Sequence, residues 1–195
     1  MHKHIVGLCM LLIAAPGLAQ DQGPSARAAM LKTLERGKEM KGSGGQYQHL
    51  PQVGAVARAN AAETPDEAVA RIGESGAQVV ETKGRLVLFR STKVRPAALV
   101  SAGSASVYPT VVNARSGTLG VLTGMLIVKP RSMADADAIA KTFGLEKAKA
   151  YPQLQTVFYK AKPGADIADV SAALQADARV ENAYPEIIEQ VRVPK

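Results

Sequence analysis

The chain has 195 residues, of which 47% are hydrophobic and 21% are charged, a composition typical of globular protein with one or two domains. It carries a net charge of +7, no tryptophan and only 4% aromatic residues, and its basic residues are scattered along the chain. Because side chains that stack on bases are scarce, we expect no nucleic-acid partner and interpret the charge as a solvated basic surface. The alternative is attraction to an acidic partner, which salt would screen.

Residues 1–19 have the features of an export signal. Lys3 precedes an apolar run over residues 5–15, which is shorter than the ~20 residues that span a bilayer, and small residues precede the predicted cleavage site at Ala19. We therefore expect a periplasmic or secreted protein that does not associate with the membrane once the signal is removed. The single cysteine, Cys9, lies in that segment, so we expect no disulfide in the mature chain.

The chain is poor in the groups from which a catalytic or metal site is built. His2 and His4 fall within the signal, which leaves His49 as the one histidine available as a general base. A serine nucleophile would lack a convincing base and a zinc ion would lack ligands, so we predict no enzyme activity, no cofactor and no metal. The glycine-rich residues 42–45 could pass for a phosphate loop, but no strand is predicted before them and no Lys-Ser/Thr pair follows. We interpret them as a linker.

Turn and cap signals divide the amino-terminal half into two parts. Residues 20–62 are expected to be helical or disordered, with an amphipathic helix over 26–40 that ends in the Gly/Ser linker. Residues 63–123 are expected to form a small, mainly antiparallel module. Its predicted elements are a capped helix at 65–72, a hairpin of 78–82 with 85–91, and a second hairpin of 107–113 with 118–122.

The carboxyl half predicts one β-α-β-β-α-β unit over residues 124–191, so the fold class is α+β. Its predicted strands are 125–128, 146–151, 156–161 and 180–188, and its predicted helices are 133–143 and 167–176. Right-handed crossovers would place both helices on one face of the sheet, which leaves the opposite face free. Aromatic side chains of these strands are candidates for contacts made by the free face: Tyr151, Phe158, Tyr159 and Tyr184.

Several segments of this unit resemble the prodomain of subtilisin-like serine proteases. The matching segments are Val128-Lys129-Pro130, Phe143-Gly144-Leu145, Tyr151-Pro152-Gln153-Leu154, Val157-Phe158-Tyr159, Pro163-Gly164-Ala165-Asp166 and the block over residues 174–186. Ala178 stands where the family has proline, and Tyr184 precedes Pro185. The resemblance implies a ferredoxin-like fold and an activity in trans, namely helping a secreted subtilisin-like serine protease to fold and inhibiting it afterwards. The layout is similar to that of separately encoded external chaperones, and we expect the free chain to be a monomer.

The last residues are expected to be extended, with residues 192–195 as a tail. The resemblance implies that this end lies in the protease cleft like a cleaved product, with Lys195 in the pocket that binds the residue before the scissile bond. The residues assigned to the cleft are Glu189, Gln190, Val191, Arg192, Val193, Pro194 and Lys195. The alternative for this end is a frayed terminus. For the whole chain the alternatives are a periplasmic small-molecule-binding module and an envelope assembly module of the same fold.

Overall fold

The computed structural model describes residues 24–102 and 105–190, with side chains from residue 28 onward. The predicted export signal and the tail residues 191–195 therefore lie outside the described residues. The helices are α1 (Pro24–Thr33), α2 (Pro65–Arg71), α3 (Ala136–Phe143) and α4 (Ile167–Ala176). The strands are β1 (Glu39–Gly42), β2 (Gly45–Ala57), β3 (Gln78–Lys83), β4 (Leu86–Arg90), β5 (Val100–Ala102), β6 (Ala105–Asn113), β7 (Leu119–Pro130), β8 (Glu146–Tyr151), β9 (Thr156–Lys160) and β10 (Val180–Ile188).

The ten strands of the described residues form one sheet in which the neighbours are antiparallel. Its main order is β3-β4-β2-β6-β7-β9-β8, with β1 beside β2, β5 beside β6 and β10 beside β7. Strand β7 pairs with β6 through its first residues and with β9 through its later ones. The predicted domain boundary between residues 123 and 124 therefore falls inside a single strand, and the two halves of the chain share one sheet.

The structure corrects the prediction for residues 20–62. Helix α1 ends at Thr33, and Met40, which was assigned to the helix, is buried in β1. Residues 42–45 form the turn between β1 and β2 and are not a linker. The sequence does not predict β2 because this strand has buried side chains on both faces, and so it lacks the alternation of apolar and polar residues that marks a half-exposed strand.

The carboxyl half contains the elements in the predicted order, with β10-β7-β9-β8 as neighbours. The Asp166 carboxylate accepts hydrogen bonds from two amides at the start of α4, and the Ser132 hydroxyl accepts one before α3. Ile139 of α3 and Leu174 of α4 belong to one core cluster together with Val157 and other strand side chains. Both helices therefore cover the same face of these four strands.

That cluster also contains residues of the amino-terminal half, among them Met40, Tyr47 and Val111. Two further clusters lie around Leu50 and Leu88 and around Phe89 and α2. The halves predicted as separate modules consequently share buried apolar surface, which is the main stabilising contribution to folding. None of the helices in the described residues is long and apolar enough to cross a membrane.

Candidate functional site

The face of β10, β7, β9 and β8 that lies opposite α3 and α4 carries a row of apolar side chains. Tyr184 is paired with Ile127, and Ile127 with Phe158. The Phe158 ring meets the Tyr151 ring edge-on, with 5.6 Å between centroids and 70° between planes. All four side chains are half-buried and so retain exposed area. We call these four residues the open row.

Charged and apolar residues surround the open row. The Lys149 ammonium lies 4.8 Å from the centroid of the Tyr151 ring, a cation–π arrangement, and Lys129 forms an ion pair of 2.8 Å with Glu181. Leu154, in the short 3-10 turn between β8 and β9, is 67% exposed. Apolar side chains framed by charges are typical of a protein-binding surface.

Tyr159 does not belong to this face, and the prediction that assigned it there is wrong. It follows Phe158 in β9, so its side chain points to the opposite, helix-covered side, where it is fully buried. Its hydroxyl donates a hydrogen bond of 2.8 Å to the carbonyl of Ala136. Burial raises the pKa of Tyr159 to about 12. Tyr151, Phe158 and Tyr184 do lie on the open face, and their role as contacts stays a prediction.

Glu189, the first residue assigned to the tail, is held by the amino-terminal half. Its main-chain carbonyl accepts a hydrogen bond of 2.7 Å from the Lys83 ammonium, and its carboxylate accepts one of 3.1 Å from the Asn113 amide. Burial, and then a hydrogen bond with Glu189, raise the pKa of the Tyr47 hydroxyl. Gln190 is exposed, and residues 191–195 lie outside the described part of the chain. Sequence reasoning missed these partners because they are far away along the chain.

A polar groove of about 360 Å³ lies at the opposite end of the sheet. It is lined by Gln52, Glu74, Ser75, Gly76, Ala77, Gln78, Arg90, Ser91 and Thr92. Burial acts to raise the pKa of Glu74, but hydrogen bonds from Ser91 and Lys93 and the charge of Arg95 outweigh it and hold that pKa below its usual value. Because the Glu74 carboxylate is already paired with Ser91, Lys93 and Arg95, these residues stabilise the loop between α2 and β3, in which Glu74 lies. The described residues contain no group of acidic, histidine or cysteine side chains suited to a metal ion.

Comparison with known proteins gives the family. The family described as Open reading frame 2 N-terminal domain matches residues 35–194, and the chain belongs to it. Among solved structures, the chain is similar to one in the crystal structure of Aeromonas sobria serine protease (ASP) in complex with the chaperone (ORF2). The identity is 22%, the match covers 46% of this chain and 92% of that chain, and the TM-score is 0.38. No curated protein matches the chain.

Proposed function

We propose that this protein is a chaperone of a serine protease and, more specifically, an exported chaperone and inhibitor that acts in trans on a subtilisin-like protease. Its family is described as open reading frame 2, the designation that the chaperone of the Aeromonas complex also carries. The observation on this chain that supports the proposal best is the open row, an apolar sheet face that the helices leave uncovered.

The open row has the chemistry of an interface centre. Two tyrosines, one phenylalanine and one isoleucine lie across the four strands; on β8, Lys149 is the residue paired with Phe158, and Tyr151 makes the ring contact. Aromatic side chains are enriched among the residues that contribute most to binding, and the core beneath keeps this face preformed. A standard interface buries about 800 Å² on each partner, and a four-stranded sheet face can supply an area of this order.

Docking on this face accounts for chaperone activity by mass action. A surface that binds the folded protease and not its unfolded chain stabilises the folded state. If the contact already exists in the transition state of protease folding, it also raises the folding rate. In this proposal the carboxyl half has the ferredoxin-like fold of the prodomains, with the helices on one face of its sheet and the protease on the other.

Inhibition requires the carboxyl end to reach the cleft of the same protease. Tyr184, in the open row, and Glu189 are five residues apart along β10 and its exit, a distance of about 17 Å in extended backbone. The docking face and the tail are thus connected by one short, hydrogen-bonded stretch. In this proposal residues 190–195 lie along the cleft as an added strand, and Glu189, which Lys83 and Asn113 hold, is the point from which they start.

The test is refolding of denatured exported serine proteases, subtilisin-like ones included, with and without the purified chain. We expect active protease to appear when the chain is present and excess chain to suppress it. Phe158→Ser should weaken binding at least about tenfold, whereas the matched Phe158→Leu should stay close to wild type because it retains apolar area. Removing residues 191–195 should reduce inhibition more than refolding. A wild-type chain that neither binds nor rescues any serine protease would refute the proposal.

A further inference from the structure

The end of β10 lies in a recess built by the amino-terminal half. Strands β1, β2, β3, β6 and β7 each contribute one residue to its wall, and these residues contact Ile187 or Glu189. We call this recess the β10 socket, and its residues are Gly42, Tyr47, Lys83, Asn113 and Gly120.

The two glycines of the socket provide space for Ile187. A Cβ atom at Gly120 would collide with Cγ2 of Ile187. A Cβ atom at Gly42 would lie 2.9 Å from Cδ1 of Ile187 and 2.6 Å from the Tyr47 ring. Neither glycine has a positive φ, so backbone conformation does not require glycine at either position. Close approach of the Ile187 side chain does require it.

The polar residues of the socket converge on Glu189. Lys83 is 9% exposed, and its ammonium donates to the main-chain carbonyl of Glu189 as well as pairing with Glu81 at 2.9 Å. Asn113, itself buried, donates to the Glu189 carboxylate, and burial followed by Glu189 raises the pKa of the Tyr47 hydroxyl. Buried polar groups are costly unless paired, and Glu189 supplies the acceptor for the buried Asn113 amide and one of two acceptors for the Lys83 ammonium.

We infer that the β10 socket positions the carboxyl-terminal residues for inhibition, and that this is a function of the amino-terminal half. The inference rests on the proposed function. By holding Glu189, the socket fixes the point from which residues 190–195 continue. Six residues reach up to ~20 Å, and the volume they sample depends on where and in which direction they start. A fixed start raises the effective concentration of the tail at the cleft of a protease already bound to the open row.

The test compares Glu189→Ala with Glu189→Gln, each with and without residues 191–195. Alanine removes the oxygen that accepts the hydrogen bond from the Asn113 amide, whereas glutamine retains an acceptor. With the tail present, we expect Glu189→Ala to raise the inhibition constant by about tenfold and Glu189→Gln by less than about twofold. Without the tail, Glu189→Ala should leave the affinity for the protease unchanged.

This double-mutant cycle separates positioning from a merely structural role. If the socket only stabilised the fold, Glu189→Ala would weaken binding equally with and without the tail, and that result would overturn the inference. An unchanged inhibition constant for Glu189→Ala in the full chain would overturn it as well. If the wild-type chain inhibits no serine protease, the proposed function and the inference both fail. If it inhibits but the cycle shows no coupling, the inference alone fails.

Hydrogen exchange of the free protein provides a readout that needs no protease. In Glu189→Ala the amides at the end of the β10–β7 ladder, at Ile187 and Ile188, should exchange at least about tenfold faster than in wild type, while those near Ala183 and Tyr184 should keep their rates. Glu189→Gln should resemble wild type. Equal protection of Ile187 and Ile188 in all three proteins would show that the socket does not hold this segment, and the inference would be wrong.

Discussion

Replacing Tyr159 with phenylalanine should lower the free energy of unfolding by about 1–3 kcal/mol. The side chain is fully buried, and its hydroxyl donates a 2.8 Å hydrogen bond to the Ala136 carbonyl at the start of α3. Phenylalanine preserves the ring and its packing but leaves that carbonyl without this donor, which costs about this amount in a buried site. In a protein of this size each kcal/mol lowers Tm by roughly 2–4 °C.

Two further variants calibrate this measurement. Tyr159→Ala also removes the ring from the core and should cost about 3–5 kcal/mol. Tyr151→Phe removes a hydroxyl from a half-buried ring on the open face and should change the stability by less than about 0.5 kcal/mol. Urea unfolding followed by circular dichroism measures all three, with equal denaturant slopes as the check on two-state behaviour. If Tyr159→Phe is as stable as wild type, or if Tyr151→Phe loses as much, the assignment of the two tyrosines to opposite faces is wrong.

Two other predictions concern pH and capping. Burial lowers the pKa of His49 to about 4, whereas an unfolded histidine titrates near 6.5. Between these pH values the unfolded chain binds a proton that the folded protein does not, so the free energy of unfolding falls as the pH drops from 6.5 towards 4. Urea midpoints should therefore drop between pH 7.5 and 4.5 by more in wild type than in His49→Leu, and equal drops would contradict this. Asp166→Ala should cost about 1 kcal/mol because it removes the acceptor for the Ala168 and Asp169 amides as well as an ion pair with Lys38. Asp169→Ala, which removes only an exposed ion pair, should cost less, and an equal loss in both variants would rule out the cap as the cause.

Local signals were sufficient to predict much of the carboxyl half. Asp166 caps α4 and Gly144 ends α3 with φ 62°, as the sequence pattern indicated. The predicted final strand, 180–188, is β10 in the structure. Caps and turns are determined by residues within about four positions of one another, and so they can be predicted without knowledge of the fold.

The candidate site could be predicted only in part. The strands and their aromatic residues were identified, but which aromatic side chains lie on the open face depends on which residues of each strand point towards the core. Phe158 and Tyr159 are adjacent in sequence and lie on opposite faces. A shift of one position exchanges the buried and exposed sets, and the helices packed on one side decide between them.

The sequence by itself determined the local elements of residues 124–190: their order, their caps and their turns. The tertiary structure decided that β1 and β2 form a hairpin, that β7 joins both halves, and that Lys83 and Asn113 contact Glu189. These contacts join residues 76 and 106 positions apart. A strand pairs with whichever backbone lies beside it, and the identity of that neighbour depends on how the whole chain packs its apolar surface, which no short stretch of sequence specifies.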